Sequence, residues 1–265
     1  MTKYLLMMGV CLAAATLASA QVTKPLPRHW GCPPLAQTGD LTDLPLEYGR
    51  GSTTLAQWIN ANLQKDKLGG VAPAKMLYQN DFTSAPLDKA PEDFLVLDGA
   101  FAVKAENANK FLDLPGAPLD NFGALFGPAT SNNVAVAARI RGTNKGRRFP
   151  VFGVGLNGAG GLKLQVAPGK RVLEILKGDE SVAQVPYAWE PGKWTMLLLQ
   201  VRSVGEGEWQ AEGKAWTEGS PEPFSFLIAY KEKSVLSPGR PALWGSPISG
   251  TPIQFDDLLV TTVGR

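Results

Sequence analysis

From Lys75 onward the chain is a succession of short alternating or apolar runs separated by turns. The pattern predicts strands over 75–80, 94–97, 101–105, 110–114, 133–142, 148–157, 161–167, 171–177, 181–187, 193–204, 208–217, 224–230 and 253–263. Asp98-Gly99, Asn157-Gly158 and Pro168-Gly169 punctuate them, as residues that accept turn backbones should. No helical period intervenes, so crossover connections between parallel strands are missing and an α/β fold is excluded. Many short strands in a row specify an antiparallel all-β domain. Two packed sheets of the jelly-roll kind are expected, with a closed barrel as the alternative.

Successive strand side chains point to opposite faces, so the runs also predict what faces what. Val134, Val136, Ala138 and Ile140 share one side of their strand, with Arg139 and Arg141 on the other. Leu162, Leu164 and Val166 oppose Lys163 and Gln165; Trp209, Ala211, Gly213 and Ala215 oppose Gln210, Glu212, Lys214 and Trp216. The run from Trp194 to Val201 is apolar at nearly every position and reads as a central strand covered on both sides.

Before residue 75 the pattern differs. Lys3, an apolar stretch from Leu5 to Ala15 and Ala18-Ser19-Ala20 predict a secretory signal peptide, residues 1–20, cut before Gln21. The apolar stretch is shorter than the roughly 20 residues that cross a bilayer, so no membrane span is expected after cleavage. The expected location is secreted or periplasmic. Residues 21–53 are rich in Pro, Gly and Thr and read as extended chain. A helix is predicted over 54–67: Thr54 and Gln57 have capping-box spacing, Leu55, Trp58, Ile59 and Leu63 fall on one face, and Gly69-Gly70 ends it.

Composition narrows the chemistry. Among 265 residues there are one His and two Cys, too few for zinc sites rich in those ligands, for iron–sulfur clusters or for a disulfide framework. A formal charge of +2 argues against a nucleic-acid partner. Signal cleavage removes Cys11 and leaves Cys32, three residues from His29, either as a Cys–His pair with chemistry or as part of an irregular, packed segment. Gly153-Val154-Gly155-Leu156-Asn157-Gly158 matches the dinucleotide-loop spelling, but a strand follows it rather than a helix whose N-terminus could hold a pyrophosphate. Its glycines are expected to thin one face of a strand and form a hairpin tip.

Trp189-Glu190-Pro191-Gly192-Lys193-Trp194 running into the apolar strand to Val201 resembles a recurring element of concanavalin A-like lectin/glucanase domains, including the laminin-G-like group. Asn80-Asp81-Phe82 resembles the opening of such sandwiches, and Phe255-Asp256-Asp257-Leu258-Leu259-Val260 their closing strand. The resemblance covers about 75–265. It implies a two-sheet sandwich with a concave face, often carbohydrate-binding, and sometimes a structural calcium. Some members of this superfamily are glycoside hydrolases, while others bind glycans or proteins only. The glucanases carry Glu-x-Asp-x-x-Glu on one strand, and this chain has no such run. A Ser-His-Asp triad would have to use the remote His29.

The candidate ligand face is Arg139, Arg141, Lys163, Gln165, Gln200, Arg202, Lys214 and Trp216, a polar row with an indole on which sugar C–H faces could stack. Its basic bias favours acidic glycans, and Lys145, Arg147 and Arg148 add charge at a hairpin tip. Asp81, Asp256 and Asp257 are the candidate calcium ligands, because the first and last strands should be neighbours; the alternative is that they hydrogen-bond turns. The expectation is a secreted carbohydrate-binding module with no evident catalytic centre. The alternatives are a glycoside hydrolase with carboxylates from separate strands, or an envelope module whose N-terminal segment binds a protein partner.

Overall fold

Fifteen strands succeed one another in the computed structural model, which describes residues 74–117 and 120–263. They are Met76–Asn80 (β1), Leu95–Asp98 (β2), Ala102–Glu106 (β3), Asn109–Leu114 (β4), Phe122–Leu125 (β5), Val134–Gly142 (β6), Val151–Leu156 (β7) and Leu162–Ala167 (β8). Val172–Lys177 (β9), Glu180–Pro186 (β10), Trp194–Gly205 (β11), Glu208–Thr217 (β12), Ile228–Lys233 (β13), Ala242–Ser246 (β14) and Ile253–Thr262 (β15) follow. The signal peptide, the extended segment, the helix over 54–67 and the His29–Cys32 pair lie outside the described residues. Among the described residues no helix is long and apolar enough to cross a membrane.

The strands form two antiparallel sheets, the sandwich expected from the alternation. Sheet A orders β13-β12-β11-β6-β15-β4-β3, with β1 also paired to β15; sheet B orders β10-β9-β8-β7-β14-β5-β2. The chain leaves sheet A after β6, builds four consecutive strands of sheet B and returns to sheet A at β11, as a jelly roll does.

The inner rows supply the core. Val134, Val136, Ala138 and Ile140 of β6 face inward with Leu197, Leu199 and Val201 of β11 and Phe255, Leu258 and Val260 of β15. Sheet B brings Phe152, Val154, Leu156, Leu164, Val166, Leu173 and Ile175 against them. β11 is covered on its outward side at Met196, while its outward Gln200 is only partly buried.

Two strands, β5 and β14, are not among those the pattern predicts, and β13 begins at Ile228 rather than 224. β5 is the four-residue run Phe-Gly-Ala-Leu and β14 the five-residue run Ala-Leu-Trp-Gly-Ser. Each is too short, and too rich in small residues, for period-two contrast to emerge. At β13, Pro221 and Pro223 cannot donate ladder hydrogen bonds, and Phe224 is left fully exposed in the loop.

The glycines of the dinucleotide-like spelling act as expected, thinning one face of β7. Trp244 of β14 lies against Gly155 of β7 and Gly123 of β5: a Cβ on Gly155 would stand 3.0 Å from its Nε1, and one on Gly123 only 2.5 Å from its Cζ3. The indole thus lies along the outer surface of sheet B over two glycine-thinned strands. Gly123→Ala should push the ring off this floor and lower stability by about 1–3 kcal/mol, the usual effect of overpacking. Urea melts of the variant, with an unchanged m-value, would check it.

Candidate functional site

Functional side chains can lie only where the core does not claim them, on the two outer faces and at the loop tips. The eight candidate ligand residues separate accordingly. Arg139, Arg141, Gln200, Arg202, Lys214 and Trp216 share the outer face of sheet A, because β6, β11 and β12 are neighbours there. Lys163 and Gln165 stand on β8, on the outer face of sheet B.

On sheet A the charges are largely engaged with one another. Glu212 accepts hydrogen bonds from Arg202 Nε at 2.8 Å, Gln200 Nε2 at 2.7 Å and Gln210 Nε2 at 2.8 Å. Lys214 Nζ meets Glu222 at 2.6 Å, and Arg141 is paired with Glu106 and Gln254. Arg139 and Arg141 lie over the Trp194 ring at 4.7 and 4.9 Å. Trp216 packs with Ala137, Met196 and Leu259 and is 8% exposed, so its ring is buried rather than presented to solvent.

The three candidate calcium ligands are also placed. β1 pairs with β15, so the first and last strands are neighbours. A register shift in β15 between Asp256 and Leu259, with Asp257 at φ 49°, turns both carboxylates toward Arg139. Asp256 Oδ2 is 2.7 Å from Arg139 Nη2 and Asp257 Oδ2 is 3.0 Å from Nε, while Glu218 reaches Nη1 at 3.1 Å. Asn109 Nδ2 donates to Asp256 at 2.9 Å. Asp81 accepts from the Thr83 amide in a turn. A guanidinium therefore takes the place between Asp256 and Asp257, and among the described residues no group of three or more His, Cys, Asp or Glu side chains converges as a metal would need. Calcium calls for six to eight oxygens, and this donor set does not fit it.

The opposite end of sheet B is built differently. The loop that carries the chain from β6 in sheet A to β7 in sheet B is pinched by Lys145 and Arg148 exchanging backbone hydrogen bonds of 3.0 and 3.1 Å, with Gly146 at φ 61° at its tip. The β8–β9 turn is closed by Lys170 N to Ala167 O at 3.0 Å and Arg171 N to Pro168 O at 3.1 Å. Phe149 Cδ2 lies 3.9 Å from where a Cβ on Gly169 would stand, so the two tips lean together. Between them runs a groove of about 330 Å³ lined by Arg147, Arg148, Phe149, Val151, Gln165 and Lys170, with further apolar wall from Ala167 and Ile248.

The charge around this groove is unbalanced. Buried Glu174 accepts from Gln165 Nε2 at 2.8 Å and Ser181 Oγ at 2.9 Å, and Lys170 Nζ approaches at 3.4 Å. Burial works against its charge, but these donors outweigh burial and hold the carboxyl below its ordinary range. Farther along β8, Lys163 Nζ sits 4.2 Å over the Trp244 ring, and burial lowers its pKa. Among the described residues neither Arg147 nor Arg148 has a carboxylate partner. Of the groove's residues, Gln165 belongs to the polar row read from alternation, and Arg147 and Arg148 to the charged hairpin tip. Phe149 and Lys170 carried no signal, since only the meeting of two separate turns brings them in.

No family model matches the chain, and no curated protein matches it. Among solved structures it is similar to the carbohydrate-binding module CBM66 from Bacillus subtilis, at 13% identity and a TM-score of 0.46, over 64% of this chain and 96% of that one. It is also similar to a Bacillus subtilis protein of unknown function with a galectin-like fold, at 11% identity and a TM-score of 0.48, over 71% and 97%. A third is domain 4 of an extracellular arabinanase from Geobacillus stearothermophilus, at 16% identity and a TM-score of 0.42, over 72% and 94%. Likenesses at this level assign neither ligand nor activity to the chain.

Two expectations follow from the Arg139 cluster. Arg139→Met would leave two buried carboxylates without their cation and should cost about 3–5 kcal/mol, read from denaturant melts. Burial pushes the Asp256 carboxyl up to about 6, against Arg139 and with Asp257, from an ordinary 3.8. Between those values the folded chain holds a proton that the unfolded chain releases, so this group's contribution to stability falls as pH rises through the window. Melting temperatures measured from pH 4 to 7 should show that slope reduced in Asp256→Asn.

Proposed function

We propose that the chain is an exported carbohydrate-binding module that takes an acidic polysaccharide in the groove between the β6–β7 and β8–β9 tips. The observation that carries this reading is the convergence of Arg147, Arg148 and Lys170 on an apolar-floored groove where the nearest acid, Glu174, is buried and already hydrogen-bonded. Each part matches a part of a uronate or sulfated sugar. Phe149 and Val151 offer apolar surface to the C–H faces of a pyranose ring. The Gln165 amide suits hydroxyls, and arginine forks suit carboxylate or sulfate oxygens in pairs. A neutral glycan would leave Arg147 and Arg148 without a counterpart.

The open rim predicts modest affinity with marked salt dependence, because exposed charges are screened within about 8 Å at physiological ionic strength. No carboxylate lines the groove among the described residues, so this binding does not call on calcium. Of the candidate calcium ligands, Asp256 and Asp257 lie on β15 in sheet A, where both face Arg139, and Asp81 lies in the turn after β1.

Affinity electrophoresis in gels containing a polyuronate, a sulfated galactan or a neutral β-glucan tests the reading. The native chain should be retarded by at least one acidic polymer and not by the neutral one. That retardation should fade with added salt, disappear in the Arg147→Ala, Arg148→Ala double variant and persist in EDTA. Unretarded migration in both acidic gels, or equal retardation of the variant, would overturn it.

A further inference from the structure

The outer face of sheet A carries an apolar island among its charges. Leu259 of β15, Ala137 of β6, Met196 and Leu198 of β11 and Trp216 of β12 stand side by side across four adjacent strands, pointing away from the core. Ala137 and Leu259 are 2% exposed, Met196 7% and Trp216 8%, which is unusual for the outward side of a sheet. Among the described apolar side chains, only Leu198 is partly buried against this cluster.

We propose that residues 54–67 dock on this island as an amphipathic helix, their Leu55, Trp58, Ile59 and Leu63 stripe packed on Met196, Leu198, Trp216 and Leu259. The chain preceding the described residues ends in the right place. It enters the sandwich at β1, whose Met76 pairs with Thr261 and Gln79 with Leu259, one strand from the island's edge. From β1 to β12 is four strand spacings, about 19 Å. Residues 68–75 can span up to about 26–29 Å, so they can return a helix across the whole island. A helix over 54–67 is about 21 Å long, against the roughly 14 Å between β15 and β12. Its stripe is apolar where the island is apolar, and its other face (Asn60, Gln64 and Lys67) is polar enough to remain in water. This assignment is independent of the glycan groove, which lies on the other sheet.

The test uses the full chain with point changes that leave the core intact. Ile59→Ala and Leu198→Ala should each weaken folding, and because they remove two sides of one contact the double variant should fall short of the product of the single effects by at least about threefold in the folding equilibrium constant. Multiplicative effects would overturn the proposal. A second arm adds I59C and L198C to a chain in which Cys11 and Cys32 are replaced by Ser, and treats it with a short bismaleimide at high dilution. An internal cross-link within one monomer is expected. Cross-linked dimers would make a second copy the occupant and overturn the proposal, as would no cross-link.

Discussion

A strand can give only every second side chain to a core, and that limit decides where this protein can do anything else. The inner rows of β6, β11 and β15 are closed against β7, β8 and β9, with Val136, Ile140, Leu199, Phe255 and Leu164 fully buried. Burying each such side chain contributes roughly 1.5–3 kcal/mol, so no inner position can be exchanged for a polar group without a large loss. Chemistry is therefore confined to outer faces and turns, and two outer faces compete for it.

They are not equivalent electrostatically. On sheet A almost every cation has a local acid: Arg202 has Glu212, Lys214 has Glu222, Arg141 has Glu106, and Arg139 has three carboxylates. Where such pairs stand partly exposed, as Arg202–Glu212 and Arg141–Glu106 do, each adds only about 0–1 kcal/mol, so stability alone gives little account of the matching there. Its effect is to leave the face with little unbalanced charge to offer a ligand. At the far end of sheet B the pattern is inverted. Glu174 is drawn down between Gln165 and Ser181, and the arginines of the β6–β7 loop keep their donors for something else.

Local alternation made β6 and β12 legible, because each runs nine residues or more with clear contrast, and β11 stood out as a long apolar run. It also fixed which side chains face outward, including Lys163 and Gln165. It could not say that β8 belongs to the other sheet from β6, since sheet membership depends on pairings such as Gln254 with Arg141, more than a hundred residues apart. The shift at Asp257 was equally invisible. Strict period two would send Asp256 and Asp257 to opposite faces, and only an extra residue in the ladder sets both against one guanidinium. Arg147 and Arg148 were readable as charge at a tip; their partnership with Phe149 and Lys170 arises from two turns meeting.

The outer face of sheet A also contains a contradiction that charge matching does not resolve. Three arginines, a lysine and several carboxylates share a surface with Met196, Trp216 and Leu259, and these apolar groups are nearly as buried as the core. Apolar side chains gain nothing from ion pairs beside them; they gain by losing water, at roughly 25 cal/mol for each Å² covered. Pairing the cations laterally, within the sheet, is what lets an apolar object approach without stripping water from unmatched charge, a step that costs several kcal/mol per ion. A face arranged in this way suits packing against another part of a protein better than recognition of a sugar, which needs donors left unpaired. The two outer faces are thus specialised by the same physical rule applied in opposite senses, with matched charge around a contact surface and unmatched charge around a groove.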